Sequence, residues 1–90
     1  MGKIEITHPS ASELKQLGIG IWSPWQCAPS DFDWQYTDRE TAYVLKGKVV
    51  VTAADGETVE LGPGDLVVFP KGLKCRWRVV ETVEKVYKFG

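Results

Sequence analysis

The sequence predicts an all-β fold, a sandwich or small barrel, because short runs of β-branched and aromatic residues alternate with turn residues. The run "TAYVLKGKVVVT" has a single break, at Gly47, and Asp55-Gly56 in "ADGETVEL" is the strongest type of short hairpin signal. In "GPGDLVVFPKGLKCRWRVV", turns are predicted at Pro63-Gly64 and at Pro70-Lys71-Gly72. We therefore expect six or more short strands.

The N-terminal third has a different pattern. Residues 1–9 alternate and stop at Pro9, which predicts a short edge strand. Ser10 and Glu13 fit a capping box and Gly18 can end the turn, so we expect one short helix of about two turns. Residues 22–29, "WSPWQCAP", contain two prolines, which predict an irregular aromatic segment instead of a central strand.

The composition of the chain excludes several classes of function. The 90 residues, expected to form a single domain over residues 1–90, carry 11 basic and 12 acidic side chains without a basic run, so we expect no nucleic-acid partner. No apolar stretch approaches the length of a membrane span and no secretion signal opens the chain, which predicts a cytoplasmic protein without membrane contact. Cys27 and Cys75 are far apart, so neither a zinc knuckle nor a disulfide scaffold is expected.

Alternation along the strands predicts which side chains face inward. Residues two apart on a strand share a face, so Cys75, Trp77 and Val79 should point one way and the basic residues between them the other. By the same argument Trp34 and Tyr36 share a face. Each of these two groups of inward-facing side chains therefore combines aromatic rings with a polar group, the thiol of Cys75 in one and the hydroxyl of Tyr36 in the other.

Two stretches resemble the cupin motifs. Gly64, Pro70 and Gly72 match the second motif in type and spacing, with Cys75 at the position of its histidine and Val79 at that of its asparagine. The first motif is matched by its glutamate and glycine, at residues 40 and 47, and counting back puts Trp34 and Tyr36 on its two histidine positions. The residues of both stretches are similar to those of a subgroup of small single-domain cupins that includes the ureidoglycine aminohydrolase and ethanolamine-utilisation cupins.

The resemblance implies a cupin jelly-roll β-barrel, a double-stranded β-helix with one short N-terminal helix, paired as a homodimer. A typical cupin holds a divalent metal with three histidines and a glutamate. Here only Glu40 remains, since an indole offers no lone pair and Tyr36 and Cys75 would have to ionise to bind a metal. We therefore expect no metal and no other cofactor.

The residues at and around the metal-ligand positions of the two motifs predict an aromatic pocket that contains one acidic side chain. Trp34, Tyr36, Glu40, Cys75 and Trp77 would line it. Aromatic walls disfavour a charged carboxyl group, so Glu40 is a candidate general acid or base. The alternative is a structural Glu40, held by the Tyr36 hydroxyl, a lysine or an arginine, in a barrel filled by side chains. Cys75 is expected to be inert, because no histidine is available as its base.

Three functions remain open. The chain is expected to bind a small-molecule ligand in the barrel without a metal. The alternatives are a metal-dependent enzyme on ureido or amino compounds, similar to ureidoglycine aminohydrolase, and a structural dimer with a filled barrel; whether it is an enzyme stays undecided. Trp22 and Trp25 are expected to cover the barrel mouth or fill a dimer interface. Solvated positions are predicted for Lys71, Lys85, Lys88 and Arg39.

Overall fold

The computed structural model describes residues 3–90. In that range the prediction of an all-β fold with one short N-terminal helix is confirmed. The strands are β1 (Glu5–Thr7), β2 (Ser23–Cys27), β3 (Ser30–Gln35), β4 (Glu40–Ala53), β5 (Thr58–Leu61), β6 (Leu66–Phe69) and β7 (Lys74–Phe89). Between β1 and β2 lie helix α1 (Ala11–Leu17) and a 3-10 helix (Ile19–Ile21).

The strands form one antiparallel sheet in the order β1-β6-β4-β7-β2, in which β3 also pairs with β7 and β5 with β4. Strand β7 therefore pairs with three others. The prediction of short strands is wrong for β4 and β7, which have 14 and 16 residues. Each strand continues because its hydrogen-bonded pairing with the other resumes after a local irregularity in the β4–β7 register.

Gly47 lies at that irregularity. The β4–β7 register shifts between Val44 and Val49, which is the signature of bulges, and Gly47 has a φ of +94°. A Cβ atom there would lie 2.3 Å from the carbonyl oxygen of Thr82. The break predicted at Gly47 is thus a bend within one strand, and it requires glycine for both its φ angle and its close backbone contact.

The N-terminal elements agree in part with their predictions. The Ser10 hydroxyl accepts a hydrogen bond from the Glu13 amide, the Glu13 carboxylate accepts one from the Ser10 amide, and Gly18 ends the helix in the left-handed conformation. The prediction of an irregular segment at residues 22–29 is wrong, because residues 23–27 form β2. This strand lies at the end of the strand order, where Pro24 needs no second hydrogen-bonded neighbour.

One hydrophobic core lies against the sheet, with most of its side chains from β4, β6 and β7. The predicted alternation on β7 is confirmed: Cys75, Trp77 and Val79 are buried, and the basic residues between them are exposed. Across residues 3–90, no helix has the length and apolar character that a membrane crossing requires.

Candidate functional site

A cavity of 280 Å³ lies among aromatic side chains from β2, β3 and β7. Trp34, Tyr36, Glu40 and Trp77, four of the five residues predicted for the pocket, line it together. The other lining residues are Trp25, Phe32, Lys85, Tyr87 and Phe89. The cavity is at the lower end of the size range for small-molecule sites, so any occupant must be small.

Ring contacts hold the cavity wall in place. Tyr36 stacks on Phe69 with ring centroids 4.7 Å apart and planes 8° apart. Trp77 stacks on Phe32 with ring centroids 6.0 Å apart and forms a T-shaped pair with Trp25 at 5.8 Å. These are the offset and edge-to-face geometries that aromatic pairs prefer. The wall is therefore preformed by packing within the chain.

The turn predicted before β7 positions Tyr36, which follows directly after β3. The Tyr36 amide donates to the Leu73 carbonyl at 2.9 Å, and the Gly72 amide donates to the Tyr36 carbonyl at 2.7 Å. Trp34 lies two residues earlier, with its ring edge-on to Tyr36 at 6.4 Å, and its side chain is half-exposed. Tyr36 thus belongs to the cavity interior and Trp34 to its mouth.

Glu40 forms a buried ion pair with Lys85. The Lys85 Nζ atom donates to Glu40 Oε2 at 2.7 Å, and the residues are 6% and 4% exposed. The prediction that Lys85 is solvated is therefore wrong, because the strand turns this side chain toward the interior, where the carboxylate compensates its charge. A lysine is one of the partners that the structural interpretation of Glu40 expected.

The ammonium group of Lys85 also lies against three rings. Its Nζ atom is 4.8 Å from the ring centroid of Trp77, 4.9 Å from that of Trp25 and 5.4 Å from that of Tyr87. Such contacts attract a cation. Burial nevertheless lowers the pKa of Lys85 below its ordinary value, and the charge of Glu40 only partly opposes this effect.

Sequence reasoning missed Lys85 although a signal was present. On β7, Val83, Lys85 and Tyr87 share one face, and the first of these is fully apolar and buried. An alternation count continued from Trp77 would have put Lys85 on the inward side. Lysines are almost never fully buried without a partner, and that partner, Glu40, is 45 positions away in sequence.

Cys75 does not line the cavity. Its thiol is directed at the main-chain carbonyl oxygen of Trp34, 3.7 Å away, and the residue is not among those that line the cavity. Burial, the main cause, raises the pKa of Cys75 to about 11. The thiolate is the reactive form of cysteine, and at neutral pH this thiol stays protonated. The expectation of an inert residue is consistent with this position.

The residues at the cupin ligand positions do not fit a divalent metal. Trp34 has no lone pair, burial holds the pKa of Tyr36 far above its usual value of 10, and Cys75 keeps its proton. Glu40 is occupied by the Lys85 ammonium. Among residues 3–90, no three histidine, cysteine or acidic side chains cluster as a metal site would require.

His8 and Trp22 lie outside the cavity, whereas Trp25 lines it. His8 contacts Asp65 at 2.7 Å and does not line the cavity. Trp22 is buried beside the ammonium of Lys88, 5.4 Å from its ring centroid, whereas Trp25 reaches the cavity. Of the two tryptophans expected at the barrel mouth or an interface, Trp25 therefore belongs to the cavity wall.

Comparison with protein families identifies the fold. The family description of the EutQ-like cupin domain matches residues 14–87, most of the chain. The chain belongs to the EutQ-like cupin family. This confirms the resemblance to the cupins that the two motifs indicated. A comparison with curated proteins found no match to this cupin.

Solved structures support the same assignment. This cupin is similar to a DUF861 family protein from Thermotoga maritima, with 45% identity and a TM-score of 0.96 over 98% of this chain and 100% of the other. It is similar to the Clostridium difficile EutQ protein, with 27% identity and a TM-score of 0.67, over 73% of this chain and 52% of the other. The predicted jelly-roll fold is thereby confirmed.

Proposed function

We propose that this cupin binds a small organic molecule in the aromatic cavity without the help of a metal. The observation that carries the proposal is the cavity itself, which remains open beside a buried Lys85–Glu40 ion pair. Two charges removed from water are costly to a protein, and replacing them by apolar residues is often neutral or stabilising. Their position on the wall of a cavity supports a role in binding.

The chemistry of the wall indicates the class of ligand. Rings of Trp25, Phe32 and Trp77 offer flat apolar faces, which favour a planar, unsaturated molecule. An ammonium group has three donors, and Lys85 uses one of them on Glu40. A second donor is available to a carbonyl or carboxylate oxygen of the ligand. An apolar cavity of about 150 Å³ can hold benzene, so 280 Å³ accepts one ring with a short substituent.

The cavity also bears on the alternatives. Open volume among the rings favours binding over a barrel filled by side chains. The donor set around Glu40 argues against a metal-dependent reaction on ureido or amino compounds, because the carboxylate already has a cation as partner. Binding without a metal is therefore the function that the geometry supports best.

The four tryptophans provide the experiment, since Trp25, Trp34 and Trp77 line the cavity and Trp22 does not. We expect benzoate and benzamide to shift the indole N–H resonances of the three cavity residues and to leave that of Trp22 unchanged. The shifts should persist after treatment with a chelator. Unmoved cavity resonances would overturn the proposal, and shifts lost with the chelator would contradict its metal-independent part.

A variant at the cavity mouth sharpens the test. Trp34→Ala removes a ring that is half-exposed, so the fold should survive, and it should weaken benzoate binding about two- to tenfold because one aromatic contact is lost. The matched control is Leu45→Ala, since Leu45 has similar exposure and does not line the cavity. Equal affinities for the two variants would place the ligand elsewhere.

A further inference from the structure

The burial of the Lys85 amine beside the cavity is more than ligand binding alone requires. Its side chain is almost fully buried, the residue lines the cavity, and its Nζ atom lies within 5.4 Å of the ring centroids of three other lining residues, Trp25, Trp77 and Tyr87. Other lysines on the same strand, Lys74 and Lys88, are exposed. A lysine that is removed from water in an apolar pocket is a typical amine nucleophile, because the neutral amine becomes easier to reach.

Glu40 provides a path for the proton that must leave before the amine can react. The 2.7 Å hydrogen bond from Lys85 Nζ to Glu40 Oε2 allows direct transfer to the carboxylate. The rings of Trp25, Trp77 and Tyr87 attract the ammonium form, so the neutral amine needs an acceptor for its proton, which Glu40 provides. Burial, which lowers the pKa of Lys85, acts in favour of the neutral amine.

We propose that Lys85 forms an imine with a small aldehyde or ketone that enters the aromatic cavity, with Glu40 as the acid and base. The amine nitrogen attacks the carbonyl carbon, and the carbonyl oxygen takes the proton held by Glu40. The carboxylate then removes a proton from nitrogen and returns it to the hydroxyl group, which leaves as water. One C–N double bond forms, one C–O double bond is lost, and neither an oxidant nor a reductant is needed.

This inference rests on the proposed function in one respect, that the cavity accepts a planar molecule. It goes further in naming the ligand class and a covalent step. The size of the cavity and its aromatic walls favour an aldehyde on a single ring, such as benzaldehyde. Benzyl alcohol has nearly the same shape but cannot form an imine, so it separates binding from reaction.

The experiment uses the folded wild-type chain with benzaldehyde and sodium cyanoborohydride at pH 7. The hydride reduces the imine to a stable benzylamine, which intact mass and peptide mapping locate. We expect Lys85 to be modified at least about tenfold more than any other lysine, because a lysine at the ordinary pKa near 10.4 is neutral in only roughly four of ten thousand molecules at this pH. Equal modification of all lysines would overturn the proposal.

Variants test the roles of the two residues. Glu40→Gln retains the amine and should slow modification of position 85 about a hundredfold, as expected for loss of a general acid and base. Lys88→Met is the matched control on the same strand and should leave the modification of Lys85 unchanged. If Glu40→Gln fails to fold, the decisive result is peptide mapping of the wild-type chain, which needs no variant.

The indole resonances distinguish failure of this inference from failure of the proposed function. Benzaldehyde or benzyl alcohol that shifts the cavity tryptophans, without an adduct on Lys85, would overturn imine formation and leave binding intact. If neither compound shifts them and no adduct forms, both proposals fall. An adduct selective for Lys85 together with shifts of these resonances supports both.

Discussion

The Nζ atom of Lys85 lies 2.7 Å from the Oε2 atom of Glu40, and the two side chains are only 7% and 6% exposed. Glu40 begins β4 and Lys85 is late in β7, where it is paired with Val44. The ion pair therefore connects two strands far apart in sequence. Its energetic role follows from burial, because each charge depends on the other for compensation.

Removal of either partner should destabilise the fold. We expect Glu40→Gln or Lys85→Met to lower the free energy of unfolding by about 3–5 kcal/mol, since the remaining charge stays buried without a partner. Urea unfolding measures this change. The double variant should cost much less than the sum of the two single variants, and additive costs would show that the pair does not interact.

The control for this cycle is an exposed pair on the same two strands. Lys46 Nζ and Glu84 Oε2 are 3.7 Å apart, with side chains 75% and 41% exposed. Lys46→Met should lower the free energy of unfolding by less than about 1 kcal/mol, because water solvates both charges and screens their attraction. A cost as large as that of Lys85→Met would mean that burial is not the cause.

Two glycines with the same φ angle of +94° provide a second prediction. Gly56→Ala meets no atom within 4 Å and should cost about 1–2 kcal/mol for its backbone conformation alone. Gly47→Ala should cost at least about 1–3 kcal/mol more, because its methyl group would overlap the backbone at Thr82. Thermal or urea unfolding of both variants provides the comparison. Equal costs would contradict the close contact between β4 and β7.

The two cysteines should differ in reactivity. Cys27 is half-buried and Cys75 is buried, so iodoacetamide at neutral pH should modify the first and spare the second in the folded chain. Both should react in urea. Peptide mapping by mass spectrometry measures each site, with Cys27→Ala as the control that should take up almost no label when folded. Rapid native labelling of Cys75 would contradict its burial.

The raised pKa of the Cys75 thiol also predicts that the stability of the fold changes with pH. Its pKa is raised from 9.0 to about 11 on folding, so between these values the folded thiol keeps a proton that the unfolded thiol loses. This contribution to stability is present below pH 9 and is lost as the pH rises to about 11. The stability of the wild type relative to Cys75→Ala should therefore fall over this window. A constant difference in urea unfolding would contradict the raised pKa.

The homodimer stays a prediction, and sedimentation over a range of protein concentrations measures it. Ile21 is 92% exposed and Phe89 is about half-exposed, so each offers apolar surface that a second subunit could bury. We expect Ile21→Ser to weaken association, with Lys71→Ser as a control on an exposed polar position. A single-chain mass at all concentrations would contradict the dimer.

Local patterns predicted the fold better than the site. The helix cap at Ser10, the hairpin at Gly56 and the alternation around Trp77 each depend on neighbours within a few residues, and all three appear as expected. Glu40 was found through the spacing of a motif. Alternation from Trp77 could have indicated that Lys85 faces inward, but its contact with Glu40 depends on the register of β4 against β7, which no local pattern specifies.

Prediction of the cavity wall from local sequence patterns is limited in the same way, because part of the wall depends on strand pairing. Trp34, Tyr36 and Trp77 could be assigned to one site because they occupy or adjoin motif positions, whereas Phe32 and Tyr87 join it only through strand pairing. The side of the sheet on which Cys75 lies was predicted correctly. That its thiol donates to the Trp34 carbonyl and does not line the cavity depends on side-chain packing that alternation does not describe.

The pairing of β7 with β2, β3 and β4 has a consequence for folding kinetics. All three partners precede β7 in sequence, so during synthesis their edges stay open until the last of these strands leaves the ribosome. Before then β4 can pair with β5 and with β6, and β6 with β1, but the edges that β7 occupies stay open. Folding dominated by such distant pairings is slow, on the order of milliseconds to seconds. In the newly made chain β2 and β3 therefore stay unpaired until β7 is available, and an unpaired strand edge is prone to aggregate.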